Sequence, residues 1–201
     1  MTLAQTDRNT PTSSQDLSNF AAAQHDMRLA YLGGAPGVLV SGLVWAVAGC
    51  VATWISPERA VWALFIGGMF IHPVAVLLVR LFGGTGRHAP GNPLGLLATV
   101  TTIWMIMMLP LAYGVSLLRV ELFFPAMLFV IGGRYLCFQM LYANRLYLVC
   151  GAVLALVGGV LVKLNAPVAM AAFAGALIEL VFAALLLTSA RRDATRQAAL
   201  S

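Results

Sequence analysis

The stretch FVIGGRYLCFQMLYANRLY, residues 129–147, carries the features that decide the fold. Its first part is apolar enough for the interior of a bilayer, and it ends in Asn144-Arg145, after which a new apolar run begins at once. These features predict two membrane helices joined by a tight loop. Arg134 interrupts the first run, at a depth where a charge costs about 2.5–3.5 kcal/mol on insertion scales. Whatever makes this arginine tolerable bears on the function of the protein.

Six apolar runs of this kind occur along the chain, each long enough to cross about 30 Å of hydrocarbon. The composition agrees, because 61% of the residues are hydrophobic and only 9% are charged, whereas a soluble domain carries about 25% charged residues. Within lipid, a helix satisfies all of its own backbone polar groups. We therefore predict an all-α polytopic membrane protein, a six-transmembrane-helix bundle, with spans at 35–56, 60–82, 94–115, 121–142, 146–163 and 167–189.

The chain divides into three predicted parts. Residues 1–30 are polar and are expected to form a cytoplasmic tail, with disorder in its first half. From Asp16 onward an amphipathic helix on the membrane surface and a floppy tail are both open readings. Residues 31–190 are the six-helix transmembrane domain, and residues 191–201 are a basic cytoplasmic tail.

The distribution of basic residues predicts the orientation. Leaving out Arg134, eight arginines fall on the side that holds both termini and three basic residues fall on the other. The first group is Arg8, Arg28, Arg80, Arg87, Arg145, Arg191, Arg192 and Arg196, and the second is Arg59, Arg119 and Lys163. The positive-inside rule then places both termini in the cytoplasm. The net charge of +5 is explained in this way, and with no Lys/Arg-rich tract we expect no nucleic-acid partner.

A weak internal similarity links LFIGGMF at 64–70 with FVIGGRY at 129–135. Trp45 and Trp104 occur in the respective preceding spans. The pattern suggests that the bundle is built as three related helical hairpins. Chance similarity is the alternative, because Gly is common in membrane helices.

Three polar residues lie at similar depth in spans that run in the same direction. His72 is twelve positions after residue 60, Arg134 thirteen after 121, and Glu179 twelve after 167. At 1.5 Å per residue, this predicts one polar layer near the membrane midplane. The layer is either a substrate- or proton-linked site, or a structural salt bridge between Arg134 and Glu179, or two charges without contact. His72, which precedes Pro73, is equally open to a structural hydrogen-bonding role.

A polar stripe on the fourth span supports the same layer. Tyr135, Gln139, Tyr142 and Arg145 fall with Arg134 within roughly 140° of the helix circumference at 100° per residue. Such a stripe is typical of a pore lining or of a buried helix interface.

Catalytic and metal-binding motifs are absent from the sequence. It contains no HExxH, GxSxG, Walker or GxGxxG pattern, and Cys50, Cys137 and Cys150 lie separately in apolar runs. We therefore expect no enzyme activity, no metal and no cofactor. An intramembrane enzyme acting on lipid is the weakest alternative, because the polar candidates lie too deep to reach headgroups.

Three segments resemble a family of small bacterial multi-pass membrane proteins of unknown function. They are GNPLG at 91–95, PAMLFVIGGRYL at 125–136 and LYANRLYLV at 141–149. The resemblance implies a fold and a membrane location, but no reaction and no role for Arg134.

Two functional hypotheses follow. The first is a small transporter or channel-like protein in the lipid bilayer, in which Arg134 holds a small anionic ligand or pairs with Glu179 and His72 tunes protonation. Proline-interrupted helices near midplane polar groups are typical of such sites. The second is a structural or accessory subunit whose small-residue faces bind a partner helix or a second copy in a homo-oligomer.

Overall fold

The computed structural model describes the backbone of residues 13–198, which contain seven α-helices and no strand. The helices are α1 Ser13–Tyr31, α2 Ala35–Trp54, α3 Pro57–Leu81, α4 Pro93–Leu118, α5 Phe123–Tyr142, α6 Leu146–Lys163 and α7 Val168–Ala198. Short 3-10 helices, Leu32–Gly34 and Val120–Leu122, precede α2 and α5. Disorder is predicted for residues 1–15; residues 1–12 lie outside the described range, and residues 13–15 belong instead to the first turn of α1.

The predicted six-helix bundle is confirmed, because six helices of the described chain are long and apolar enough to cross a bilayer. These are α2 to α7, whose starts lie within three residues of the predicted ones. Three consecutive positive φ angles, 51° at Leu32, 62° at Gly33 and 78° at Gly34, separate α1 from α2. The twenty residues of α2 span about 30 Å by themselves, so we treat α2 as the first span and α1 as a flanking helix.

Capping signals in the sequence set the starts of two helices. Ser56 accepts a hydrogen bond from the backbone N–H of Arg59 at 3.2 Å, and Asn92 accepts one from Leu94 at 3.0 Å. Each cap is followed by a proline at the first helical position, where the missing N–H costs nothing. Before α6, the Asn144 side chain accepts a hydrogen bond from the N–H of Leu146, the first residue of the helix, at 3.0 Å.

The six spans form two rows. In one row α2 packs between α3 and α7, and in the other α5 packs between α4 and α6. The rows are joined where α7 meets α5 and α6, whereas the backbones of α3 and α4, at the opposite edge, stay apart over most of their length. We call the region between α2–α3 and α4–α5 the cleft.

The helices of each predicted hairpin, α2–α3, α4–α5 and α6–α7, pack on each other, but α2 packs as extensively on α7 and α5 packs more extensively on α6 than on α4. The sequence similarity between residues 64–70 and 129–135 does not extend to the surroundings of the aligned residues. Gly67 packs against the preceding helix α2, and Gly132 packs against the following helix α6. Met69 is 77% exposed, whereas its counterpart Arg134 is half-buried. The three hairpins are therefore not equivalent packing units.

Aromatic side chains close the cleft at the end remote from α1, which we call the far end. Trp62 and Phe65 of α3 contact Tyr113 of α4, with ring centroids 5.7 and 6.2 Å apart. Phe65 also meets Phe123 of α5 edge-on at 5.2 Å. These contacts hold the edges of the two rows together at one end only.

Helix α1 closes the other end of the bundle. The Asp26 carboxylate accepts hydrogen bonds from the Asn92 side chain at 2.7 Å and from the Ala89 N–H at 2.9 Å, both in the α3–α4 connection. Gln24 donates to the Met140 carbonyl of α5 at 2.7 Å, and Met27 is buried at 1% exposure. The hydrogen bond from Asn92, followed by that from Ala89, lowers the pKa of Asp26. These contacts tie α1 to both rows.

Replacing Gly151 by Ala is expected to destabilise the α5–α6 contact by about 1–3 kcal/mol, as in overpacked cores. A Cβ at this position would lie 2.6 Å from the Gly132 carbonyl oxygen, and the two backbones cannot both relax. Gly159→Ala is the matched control on the same helix, because its nearest neighbour would be the Phe129 ring at 3.7 Å. Thermal unfolding in mild detergent measures both variants. Equal unfolding midpoints would contradict the close α5–α6 packing.

Replacing Asp26 by Asn is expected to loosen α1, because the neutral amide accepts hydrogen bonds less strongly than the carboxylate. Trypsin should then cleave after Arg28 faster than in the wild type. Glu58→Gln, which removes a carboxylate at the far end, is the control.

The same contact predicts a pH dependence of stability. Since the folded-state pKa of Asp26 is lowered, its carboxylate stabilises the folded protein fully at pH values above its unfolded-state pKa of about 3.9. This stabilisation is lost as the pH falls through the folded-state pKa. The difference in unfolding midpoint between wild type and Asp26→Asn should therefore disappear in acid. A difference that persists in acid strong enough to protonate this carboxylate in the folded protein would contradict this role.

Candidate functional site

Glu179 lies at the junction of the two rows and is completely buried, with 0% exposure. Its Oε1 accepts a hydrogen bond of 2.9 Å from the Tyr135 hydroxyl of α5, and the Ser41 side chain of α2 lies beside the same carboxylate. Within the described residues, Oε2 has no hydrogen-bond partner. One carboxylate on α7 thus connects three helices in the centre of the bundle.

Arg134 lies on the other side of Tyr135, on the face of α5 that borders the cleft. Its neighbours define this face, because Gly133 contacts Trp104 of α4 while Tyr135 contacts Glu179 of α7. Arg134 lies between these two directions on the helix surface. Its side chain is only partly buried, and it faces the region between the rows.

The guanidinium of Arg134 is held by weak partners. Nη2 donates to the Thr102 hydroxyl at 3.0 Å and Nη1 to the Met105 sulfur at 3.1 Å, both on α4. The Phe138 ring lies below the guanidinium, with its centroid 5.0 Å away. Among the residues described, the buried Nε has no partner. A guanidinium has five N–H donors, so most of its hydrogen-bonding capacity is unused.

Arg134 and Glu179 interact electrostatically but do not form a salt bridge. In the described part of the chain, the salt bridge joins Arg119 and Glu121 at 3.7 Å, at the exposed far end. Both residues lie eleven positions after the first residue of their helices, Phe123 and Val168. Tyr135, next to Arg134, is the direct partner of Glu179.

His72 does not join Arg134 or Glu179, and none of the described residues hydrogen bonds to its ring. It is exposed on α3, seven residues after Phe65 and hence on the same helix face. Phe65 contacts α4 and α5 at the far end. His72 therefore faces the cleft from the wall opposite Arg134.

The structure divides the predicted polar stripe. Tyr135 and Tyr142 are buried among aromatic rings, and Tyr142 stacks on Tyr147 of α6 with a centroid distance of 5.5 Å. Gln139 is partly buried, and Arg145 is exposed at the start of α6. The stripe is thus a buried interface toward α6 and α7 rather than one continuous lining.

Sequence reasoning missed the partners on neighbouring helices. The sequence patterns single out none of Thr102, Met105 and Ser41 as site residues, although all three lie beside the two charged side chains. Thr102 does donate to its own helix, to the Ala98 carbonyl at 2.9 Å, and this leaves its oxygen free to accept from Arg134. Thr102 and Met105 are three residues apart and therefore lie on the same helix face. This spacing is the pattern from which a shared contact with one side chain, that of Arg134, could have been predicted.

The described residues contain no group of three or more His, Cys, Asp or Glu side chains placed to hold a metal ion. Cys150 is buried, and Cys50 and Cys137 are partly buried, all as free thiols. The polar chemistry of the site is therefore that of one guanidinium, one carboxylate and three hydroxyls.

The model of a family of unknown function, DUF7010, matches residues 20–189. The chain belongs to this family. The match covers all of α2 to α6 and most of α7, and it confirms the resemblance to an uncharacterised family. No curated protein and no solved structure matches the chain. Family membership therefore adds no activity, while the six apolar helices make the protein a multi-pass integral membrane protein.

Double-mutant cycles on the free energy of unfolding should distinguish the Tyr135–Glu179 pair, which is in direct contact, from the Arg134–Glu179 pair, which is not. For Tyr135→Phe and Glu179→Gln we expect a coupling energy of about 0.5–3 kcal/mol, as for residues in direct contact. For Arg134→Gln and Glu179→Gln the coupling should be smaller, because their groups do not touch. A larger coupling in the second cycle would show that Arg134 and Glu179 are direct partners.

Tyr142→Phe serves as the control for Tyr135→Phe. It removes a buried hydroxyl from the same helix, but one that makes no hydrogen bond among the described side chains. We expect Tyr135→Phe to cost about 1–3 kcal/mol, the penalty for leaving a buried acceptor unsatisfied, and Tyr142→Phe to cost less.

Proposed function

We propose that the protein is a small transporter or channel-like protein in which Arg134 binds an anionic group at the centre of the membrane. The supporting observation is the guanidinium itself, which borders the cleft, has an unpartnered Nε among the described residues, and is held by a hydroxyl and a thioether. A buried cation without a carboxylate partner costs several kcal/mol. A cation that is retained inside the membrane despite this free-energy cost is typical of a ligand or ion pathway.

His72 has the tuning role in this proposal. It lies across the cleft from Arg134, exposed and without a hydrogen bond among the described residues. In this proposal a proton carried by His72 adds a second positive charge to the same space. Anion binding in the cleft is then coupled to a proton.

The proposed orientation has both termini in the cytoplasm of a bacterial inner membrane. It is supported by the positions of exposed basic residues relative to the bundle. Arg80, Arg87 and Arg145 lie at the end that holds α1, whereas Arg59 and Arg119 lie at the far end. With Arg28, Arg191 and Arg192 added to the first group, the basic excess remains at the α1 end.

The alternative is a structural or accessory subunit. The hydrogen bond between Tyr135 and Glu179 favours it, because it connects α5 to α7 in a fully buried place where no ligand reaches. In that case Arg134 is an internal contact to α4, and the exposed faces of α3 and α4 bind a partner helix or a second copy.

Cysteine accessibility tests the choice between these functions. In a variant whose three native cysteines are replaced by Ala, Met105→Cys places a thiol beside the Arg134 guanidinium. In phosphatidylcholine vesicles we expect a water-soluble anionic methanethiosulfonate to modify this thiol, because a transport site must connect to water. The cationic reagent of the same class should react more slowly, since Arg134 repels it.

Met107→Cys, also on α4 but 65% exposed toward lipid, is the matched control and should not react with either reagent. The transport proposal is overturned if the thiol introduced by Met105→Cys stays unmodified in vesicles but reacts after the protein is denatured. That result would favour the structural subunit.

A further inference from the structure

We propose that Glu179 binds a proton and holds it at neutral pH, so that no negative charge beside Arg134 competes with a bound anion. The bound proton follows from the surroundings of Glu179 and goes beyond the proposed function. Its effect on the anion rests on the proposed function and describes how the same site is regulated. The two parts are tested by separate measurements.

The surroundings of Glu179 exclude water. Its side chain has 0% exposure, and two alanines one turn away on the same face of α7, Ala176 and Ala183, are 3% and 0% exposed. On the side of α2, the ring of Trp45 packs on Gly175, one turn before Glu179. A carboxylate in such a place loses its hydration without gaining a cation, and groups placed in this way commonly become neutral by binding a proton.

The hydrogen-bond partners of Glu179 are neutral hydroxyl groups. The Tyr135 hydroxyl donates to Oε1 at 2.9 Å, and the Ser41 hydroxyl of α2 lies beside the carboxyl group. Oε2 has no partner in the described part of the chain, so it is the atom left to carry the proton. Because a hydroxyl both donates and accepts, the same two side chains suit the ionised and the protonated carboxyl group.

Arg134 is the cation with which an ionised Glu179 would be expected to pair, as charged groups inside a membrane do. The guanidinium has unused donors, yet it donates to Thr102 and Met105 on α4 and not to the carboxyl group. A further titratable group that interacts with Glu179 is the free thiol of Cys150 on α6. The absence of an ion pair between these described residues is what a neutral Glu179 predicts.

The proton on Glu179 also affects Arg134. The two side chains interact electrostatically without contact, so release of the proton would add a negative charge that attracts the guanidinium and repels an anion bound to it. A proton on Glu179 and an anion on Arg134 therefore favour each other's binding, and this coupling is reciprocal.

Infrared spectroscopy of isotope-labelled protein tests the bound proton. The chain has three glutamates, Glu58, Glu121 and Glu179, so in the variant Glu58→Gln/Glu121→Gln every glutamate signal comes from Glu179. A ¹³C label in the glutamate side-chain carboxyl group lowers the frequency of its bands and separates them from those of aspartate. In dodecyl maltoside, which contains no carbonyl group, we expect the C=O stretch of a labelled carboxylic acid at neutral pH. Finding only carboxylate stretches overturns the proposal.

The Tyr135 hydroxyl provides a check on which contact holds the protonated group. In Tyr135→Phe the acid C=O loses a hydrogen bond, so its stretch should move to a higher frequency. Tyr142→Phe is the matched control on the same helix and should leave the frequency unchanged. A frequency that does not respond to Tyr135→Phe contradicts the assigned site. Glu179→Gln should abolish the band, but the assignment in Glu58→Gln/Glu121→Gln stands even if that variant fails to fold.

The link to Arg134 is tested with the thiol of Met105→Cys in the cysteine-replaced protein. The ratio of its modification rates by the anionic and the cationic methanethiosulfonate reports the local potential, because the reactivity of the thiol itself cancels. When the pH is raised until the acid band disappears, this ratio should fall more in the protein with Glu179 than in Glu179→Gln, whose amide stays neutral.

Each other result of this comparison overturns a specific part. An equal fall in both proteins refutes the link to Arg134, and so does an acid band that persists at every pH at which the protein stays folded, since that proton is never released. A thiol that neither reagent modifies in the folded protein overturns the proposed function together with the link. The infrared band does not depend on access to this thiol, so it still decides whether Glu179 binds a proton.

Discussion

The buried carboxylate of Glu179 is the constraint around which the bundle is arranged. A carboxylate with no exposed surface requires hydrogen-bond donors from the protein, and the Tyr135 hydroxyl donates from α5 while Ser41 of α2 lies alongside. Helices α2, α5 and α7 are therefore drawn together at mid-depth. Because α7 is the helix that joins the two rows, this contact also determines on which side the rows meet and on which side they separate.

The cleft is the consequence of that junction. With the rows joined at α7, the outer helices α3 and α4 are left at the opposite edge, each supported mainly by one neighbour. Arg134 follows from the same geometry, because Tyr135 points to α7 and the preceding residue must then turn about 100° away, toward α4 and the cleft. One helix thus has a buried structural residue and a cleft-facing charged residue in adjacent positions.

Much of the fold was predictable because lipid permits few alternatives. Apolar runs of sufficient length must be helices, and Ser56-Pro57 and Asn92-Pro93 mark helix starts through local capping that depends on neighbouring residues alone. The direction of each side chain around the bundle was not predictable, because it depends on which helix packs on which face.

The sequence by itself determined the six membrane helices and, to within three residues, where each begins, since these depend on hydrophobicity and local capping. The tertiary structure alone decided that Glu179 pairs with Tyr135, that Arg134 contacts Thr102 and Met105, and that His72 faces the cleft. It also showed that matched positions such as Met69 and Arg134 have different surroundings. The physical reason is that the order of helices around a bundle is set by side-chain packing between distant segments, such as Gly132 on Gly151, and no local pattern encodes it.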